Sequence, residues 1–420
     1  MSTSERSTQT LQAITEWDAW LTPENRKAKY SKMAVSPFGF YRGTNHLFWR
    51  DFAGDVRLAR FGGVRTWLQG DLHAENFGAF TNDQGQVVYS VNDFDEAVFA
   101  DYQYDLWRMA ISLCLVMEKI SEKAQKKIIG AFAGAYLESL ERYCQNDKEK
   151  KSEFSKKNTK GKLQKFLEEA EKKNSRAKLL NEWTTGAGHF DPTNDRLSPL
   201  PDSRREEILA ALPGYLLTLS GAGKSFGVDH LHVKDMALRL NAGTGSLGTP
   251  RYYLLVEGKS HLAGDDVILD VKRQTKPSAY PFLSAQARAE YDRLFDQDAQ
   301  RAVIAYRAMT HNADDYLGWL RLADGSYLVR ERTFVKEAFP LEKLKGEKDF
   351  ERMAGQWGKI LATLHARADH LPGISHEKSF EQQVTERTEK RSTEFLRLVS
   401  EVALEYAAQV RVDWARFVRS

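Results

Sequence analysis

Two stretches decide how this chain reads: Gly70-Asp71-Leu72-His73-Ala74-Glu75-Asn76, and Val91-Asn92-Asp93-Phe94-Asp95. A hydroxyl that attacks a phosphoryl group needs a carboxylate to orient it and take its proton. Asp71 offers one. A metal on phosphates takes hard oxygen ligands, and Mg2+ uses one or two protein carboxylates. Asn76 stands five residues after Asp71, and Asp93 seventeen further on. One tight loop and one returning strand could bring both to the same cleft. Asp95 offers a second acidic contact. Singly, Asp and Asn at strand ends are ordinary turn formers; the ordered set points to a phosphoryl-transfer loop.

The bulk properties leave that reading room. A chain of 420 residues can hold two or three domains. A net charge of +3 makes no electrostatic case for nucleic acid or a membrane surface. Cys114 and Cys144 form neither a disulfide framework nor a metal motif, so a reducing cytoplasm is expected. The residues after Met1 lack the apolar run of a secretory signal. Nothing is apolar for long enough to span a membrane. Oligomeric state is not readable.

Along the chain, residues 1–65 read as mostly helical, interrupted by a turn-rich aromatic stretch at 36–43. Val64–Leu68 and Val87–Val91 read as strands flanking the acidic loops. Leu106, Met109, Ala110, Leu113 and Met117 recur at helical spacing, which predicts a helix over 101–119. A second is expected from Glu122 to Cys144. Residues 147–173 are rich in Lys and Glu and read as a solvated segment. Within it, Leu163, Phe166, Leu167 and Ala170 mark an amphipathic helix. Another helix follows from about Arg204. The character then changes. Val233–Leu240, Arg251–Glu257, Val267–Arg273, Leu317–Leu322 and Ser326–Arg332 read as strands, with one helix over Ala285–Thr310. The last eighty residues are helical again. Three blocks result: 1–225, a helical lobe with the acidic loops; 226–335, a strand-rich lobe; and 336–420, a helical segment completing the first.

The strand-rich block holds a second set of chemical residues. Gly243-Thr244-Gly245-Ser246-Leu247-Gly248 lies between two strand candidates. Alone, such a motif is weak evidence. Between strands it can form a flap whose backbone N–H groups lie over phosphates. Lys272 stands inside the apolar strand Val267–Arg273, where an ammonium is costly to bury unless it meets an anion. ATP phosphates would supply one. Arg42 can grip a phosphate bidentately or pair with an acidic neighbour. His46, His230 and His232 form no metal-ligand spacing.

Glycine flap, strand lysine, catalytic Asp, metal Asn and metal Asp are the parts of a protein-kinase-like site. Their order differs from that of an ordinary kinase: the flap follows the catalytic loop by about 170 residues. A circular permutation accounts for this. The helix ending Leu361-Ala-Thr-Leu-His365-Ala366 would then pack beside the catalytic loop from the far end of the chain.

The segments SPFGFYRG (36–43), GDLHAENFG (70–78), VNDFDEA (91–97), YDLWRMAIS (104–112), GTGSLGTPRYYLLVEG (243–258), LDVKRQ (269–274), YLGWLR (316–321) and LATLHARA (361–368) resemble a bacterial family catalogued as domain of unknown function 2252. The resemblance spans about residues 30–410. The family's motifs are similar to those of aminoglycoside phosphotransferases. The resemblance implies an α+β, two-lobed, permuted kinase-like fold with a small antiparallel nucleotide lobe. It makes Asp71 the catalytic base with His73 beside it, and Asn76, Asp93 and Asp95 metal contacts. Gly243, Gly245, Ser246, Gly248 and Lys272 would hold the nucleotide, and Asp105 would brace the catalytic loop. Glu290 and Asp298 are the acidic candidates to pair with Lys272. ATP and Mg2+ are the implied cofactors, and the acceptor is open.

Three alternatives accompany this reading. A pseudo-kinase scaffold would bind ATP without turnover. A nucleotidyl transferase on the same fold would pass AMP to its acceptor. A metallophosphoesterase shares Gly70-Asp71-Leu72-His73, but needs a later GNH-type motif and further His ligands that the sequence lacks.

Overall fold

A computed structural model describes residues 3–186, 188–227, 231–240, 247–258, 263–371 and 377–420. Gly243, Gly245, Ser246 and His230 lie outside the described residues. The molecule is mixed α+β, and its strand pairings are antiparallel. No described helix is long and apolar enough to cross a membrane.

The main core is helical. Gln103–Val116 is buried on nearly every face, as an apolar helix at the centre of a large core must be. Ser392–Phe417 and Glu122–Tyr143 pack around it. Glu347–Arg367 lies along Glu122–Tyr143 at very close range, and Gly358 permits the approach. A Cβ there would fall 2.1 Å from the Phe132 carbonyl oxygen. The amphipathic helix comes out as Lys162–Lys173, with Leu163, Phe166, Leu167 and Ala170 buried.

Two short sheets sit on this core and carry the acidic loops. Arg65–Leu68 pairs with Val98–Asp101. Phe77–Thr81 lies between Val87–Val91 and Lys336–Ala338. A six-stranded sheet forms the second body. Its order is Gly318–Leu322, Gly325–Glu331, Val267–Arg273, Arg251–Val256, Val233–Arg239 and Leu197–Pro199. Helix Asp202–Leu216 covers one face, burying Ile208, Leu212 and Tyr215 against Leu254, Leu269, Val271 and Val329. This packing therefore reaches back across residue 226, where composition changes. Side chains alternate along a strand. With Leu269 and Val271 on the covered face, Asp270 and Lys272 point to the other.

Two local expectations are corrected. Residues 36–43 are a helix, Pro37–Gly43, not an irregular turn. Ser36 caps it, its Oγ accepting from the Gly39 N–H at 3.0 Å, and Pro37 fills the first helical position. Its glycines serve packing rather than turning: a Cβ on Gly43 would lie 2.4 Å from Met33. The helix expected over 285–310 is two, Ala285–Leu294 and Asp298–Met309. Phe295 breaks it by turning inward against Trp67 and Tyr291.

Candidate active site

The loop after Arg65–Leu68 turns at Gly70, whose φ is +82°. A Cβ there would also fall 2.0 Å from the Glu96 carbonyl oxygen, so glycine is required twice over. Buried Asp105 holds the turn from below. Its carboxylate accepts from the Gln69 N–H at 2.7 Å and the Gly70 N–H at 3.0 Å. His365 Nε2 lies 3.4 Å from the same carboxylate, and Nδ1 is 2.9 Å from Tyr136 Oη. The helix near the C-terminus thus lies under the loop, and Thr66 Oγ1 donates to the His365 carbonyl. From above, Trp49 Nε1 and Asn45 Nδ2 donate to the Gly70 carbonyl.

This cradle fixes Asp71. Asn76 Nδ2 donates to the Asp71 carbonyl at 2.9 Å, and Gln69 Oε1 accepts from its N–H. Arg108 Nε donates to Oδ1 at 2.9 Å, with Nη2 on the same oxygen. Oδ2 is left facing a cavity of about 190 Å3, with His73 Nε2 4.0 Å away. Burial, partly offset by Arg108 and reinforced by Glu96, pushes the Asp71 carboxyl up to about 7. Burial, with Arg42 and Arg108 nearby, holds His73 well below the ordinary imidazole value, so it is neutral. Its ring stands edge-on to Phe38. Arg42 lines the same cavity and is ion-paired with Glu75.

The second acidic loop is tied to the first and to the sheet. Gln69 Nε2 donates to the Asp93 carbonyl at 2.8 Å. The Asp93 carboxylate is exposed at the cavity and, among the described residues, accepts a single long bond, from the Asp95 N–H at 3.4 Å. Asp95 Oδ2 is ion-paired with Lys272, and Oδ1 accepts from Gln274 Nε2 at 2.9 Å. Burial opposes ionisation, but Lys272 and Gln274 hold the Asp95 carboxyl below its ordinary value. The lysine from the second half of the chain therefore meets a carboxylate from the first quarter. Its expected partners are engaged elsewhere: Glu290 pairs with Arg65 at 2.9 Å, and Asp298 accepts from Tyr291 Oη. Of the glycine segment, Gly248 is described, at φ +78° against Leu21, Trp20 and Asn25.

A second cavity, of about 250 Å3, lies on the Lys272 side. Asp93 and Asp95 line both cavities and form the wall between them. Three residues that sequence reading did not single out make the arrangement possible. Arg108 neutralises Asp71 from a fully buried position, stacked near Tyr41 and Phe48. Arg301, also fully buried, donates to the carbonyls of Asp95, Ala97 and Thr275, clamping the acidic loop to the sheet. Gln69 bridges the two loops. The signal for both arginines was present: a guanidinium inside an apolar helical run must find acceptors.

As to a cation, Asn76 uses its N–H on Asp71, so its Oδ1 remains for other contacts. With the open Asp93 carboxylate it gives two hard oxygen donors on one cavity, which suits Mg2+ completed by phosphate and water. Among the described residues, no three His, Cys, Asp or Glu converge as a metal group.

No curated protein and no solved structure matches this chain. The sequence model of one family, described as an uncharacterized protein conserved in bacteria (DUF2252), matches residues 21–420. With nearly its whole length matched, the chain belongs to the DUF2252 family.

Proposed function

We propose that this protein is an ATP- and Mg2+-dependent phosphotransferase acting on a hydroxyl of a small molecule or protein. The observation that carries the reading is the shared wall: Asp93 and Asp95 separate a cavity holding Asp71 from one holding Lys272. A phosphoryl group crossing that wall would pass from the lysine side to the base side. Asp71, fixed through Oδ1 and its backbone, orients the acceptor hydroxyl with Oδ2 and takes its proton. A carboxyl poised near neutrality suits that task. His73, neutral and packed, lines the acceptor side. Asn76 and Asp93 would hold Mg2+, which neutralises phosphate charge when bound with the nucleotide. Lys272 binds the phosphates from the sheet.

The order of elements supports a permuted kinase-like fold. Counting from Val233, Lys272 stands on the third strand, the second after the glycine segment, and two helices and two further strands follow. The free thiols Cys114 and Cys144 fit a reducing cytoplasm. The test is thermal denaturation with nucleotide. ATP or GTP should raise the melting temperature only with Mg2+, and Asp93→Ala should remove the shift. If neither nucleotide moves it, the reading fails. The mass gained by an acceptor then separates phosphoryl from AMP transfer, and binding without turnover identifies a scaffold.

A further inference from the structure

The cavity on the Lys272 side is chemically unlike a base-binding slot. Pockets for flat heterocycles are mostly apolar and offer free aromatic faces. Here one face of the six-stranded sheet contributes Arg251, Asp270, Lys272 and Arg330, and strand Lys336–Ala338 of the three-stranded sheet adds Lys336. Cross-strand register sets them side by side: Lys272 opposite Arg251, and Asp270 opposite Arg330. The apolar lining is Phe94, Tyr306 and Leu328. Phe94 and Tyr306 are stacked on each other at 4.4 Å, and the Arg330 guanidinium lies over the Tyr306 ring at 5.7 Å.

The charges do not cancel. Asp270 takes Nε and Nη2 of Arg251, with Nε at 2.6 Å, and Asp95 takes Lys272. Arg330 donates to the Asn92 carbonyl at 3.1 Å but has no ion pair among the described residues. Lys336 has none either. Crowding by protein atoms and repulsion from Arg330 and Arg251 bring its ammonium down to about 7, although the residue opens to solvent. Among the described residues Arg330 and Lys336 are thus without a carboxylate partner of their own, beside the open Asp93. An anion with several oxygens along its length would satisfy both.

We infer that this cavity recognises its ligand by an oligophosphate chain and not by a base, with Arg330 and Lys336 as the gripping residues. The inference rests on the phosphotransferase reading and defines its donor: nucleoside triphosphates whatever their base, and linear inorganic tripolyphosphate. Calorimetric titration of the full chain in Mg2+ with ATP, GTP, tripolyphosphate and adenosine tests it. The first three should bind with affinities within about threefold, and adenosine should not bind. Lys336→Met, at an open position, and Arg330→Met should each weaken all three by about tenfold. If ATP binds while tripolyphosphate does not, or adenosine competes, a base site exists. The inference then falls and the phosphotransferase reading stands. Unchanged affinity in folded Lys336→Met and Arg330→Met also overturns it. No binding of any phosphate ligand removes both.

Discussion

As the proposed general base, Asp71 has to be held still and yet remain free to accept a proton. The two demands are met by different atoms: the backbone and Oδ1 are held, and Oδ2 faces the cavity. Asp71→Asn keeps the shape and removes the base, so turnover should fall about 100- to 10,000-fold with nucleotide binding retained. Because the Asp71 carboxyl is pushed up to about 7, activity should rise with pH through that value. The stability effect has the opposite sense. Between about pH 4 and 7 the folded chain holds a proton that the unfolded chain has released, so this group's contribution falls as pH rises. Denaturant titrations across that range should show a flatter dependence in Asp71→Asn. Arg108→Met removes the counter-ion; the activity limb should move to higher pH, and stability should drop by about 3 kcal/mol. Asp105→Ala leaves the Gln69 and Gly70 N–H groups without their acceptor, and should cost about 3 kcal/mol by urea denaturation.

At the scale of elements, the glycines set the tolerances. Gly70→Ala meets both a positive φ and the Glu96 carbonyl, so it should unfold or displace the loop. Gly358→Ala should force Glu347–Arg367 away from Glu122–Tyr143 and lower the melting temperature, at a cost of about 1–3 kcal/mol. Neither close approach is visible in sequence, where a glycine in a helix reads only as a weak position. The same blindness made residues 36–43 look like a turn. Strand positions were more legible. Val87–Val91 and Val267–Arg273 alternate or run apolar between clear breakers, and they form strands with those bounds. The break at Phe295 was hidden because an inward Phe is compatible with an uninterrupted helix until Trp67 is seen behind it.

For the molecule as a whole, the candidate site joins residues some two hundred positions apart. Asp71, Asn76 and Asp93 were legible from spacing, and Lys272 from being a charge in an apolar strand. Their companions were not. Arg301 clamps Asp95 only because helix Asp298–Met309 packs behind the acidic loop, and no local pattern encodes that. Arg330 joins the cavity through strand register and Lys336 through the packing of a second sheet, and sequence specifies neither. Lys272 pairs with Asp95, itself a candidate acidic contact in the sequence, and not with a carboxylate of the helices that follow its strand. The most direct test is a crystal structure with a non-hydrolysable ATP analogue and Mg2+. The account predicts phosphates along Lys272 and Arg330, the cation on Asn76 and Asp93, and the terminal phosphate facing Asp71. An analogue bound away from the wall formed by Asp93 and Asp95 would contradict it.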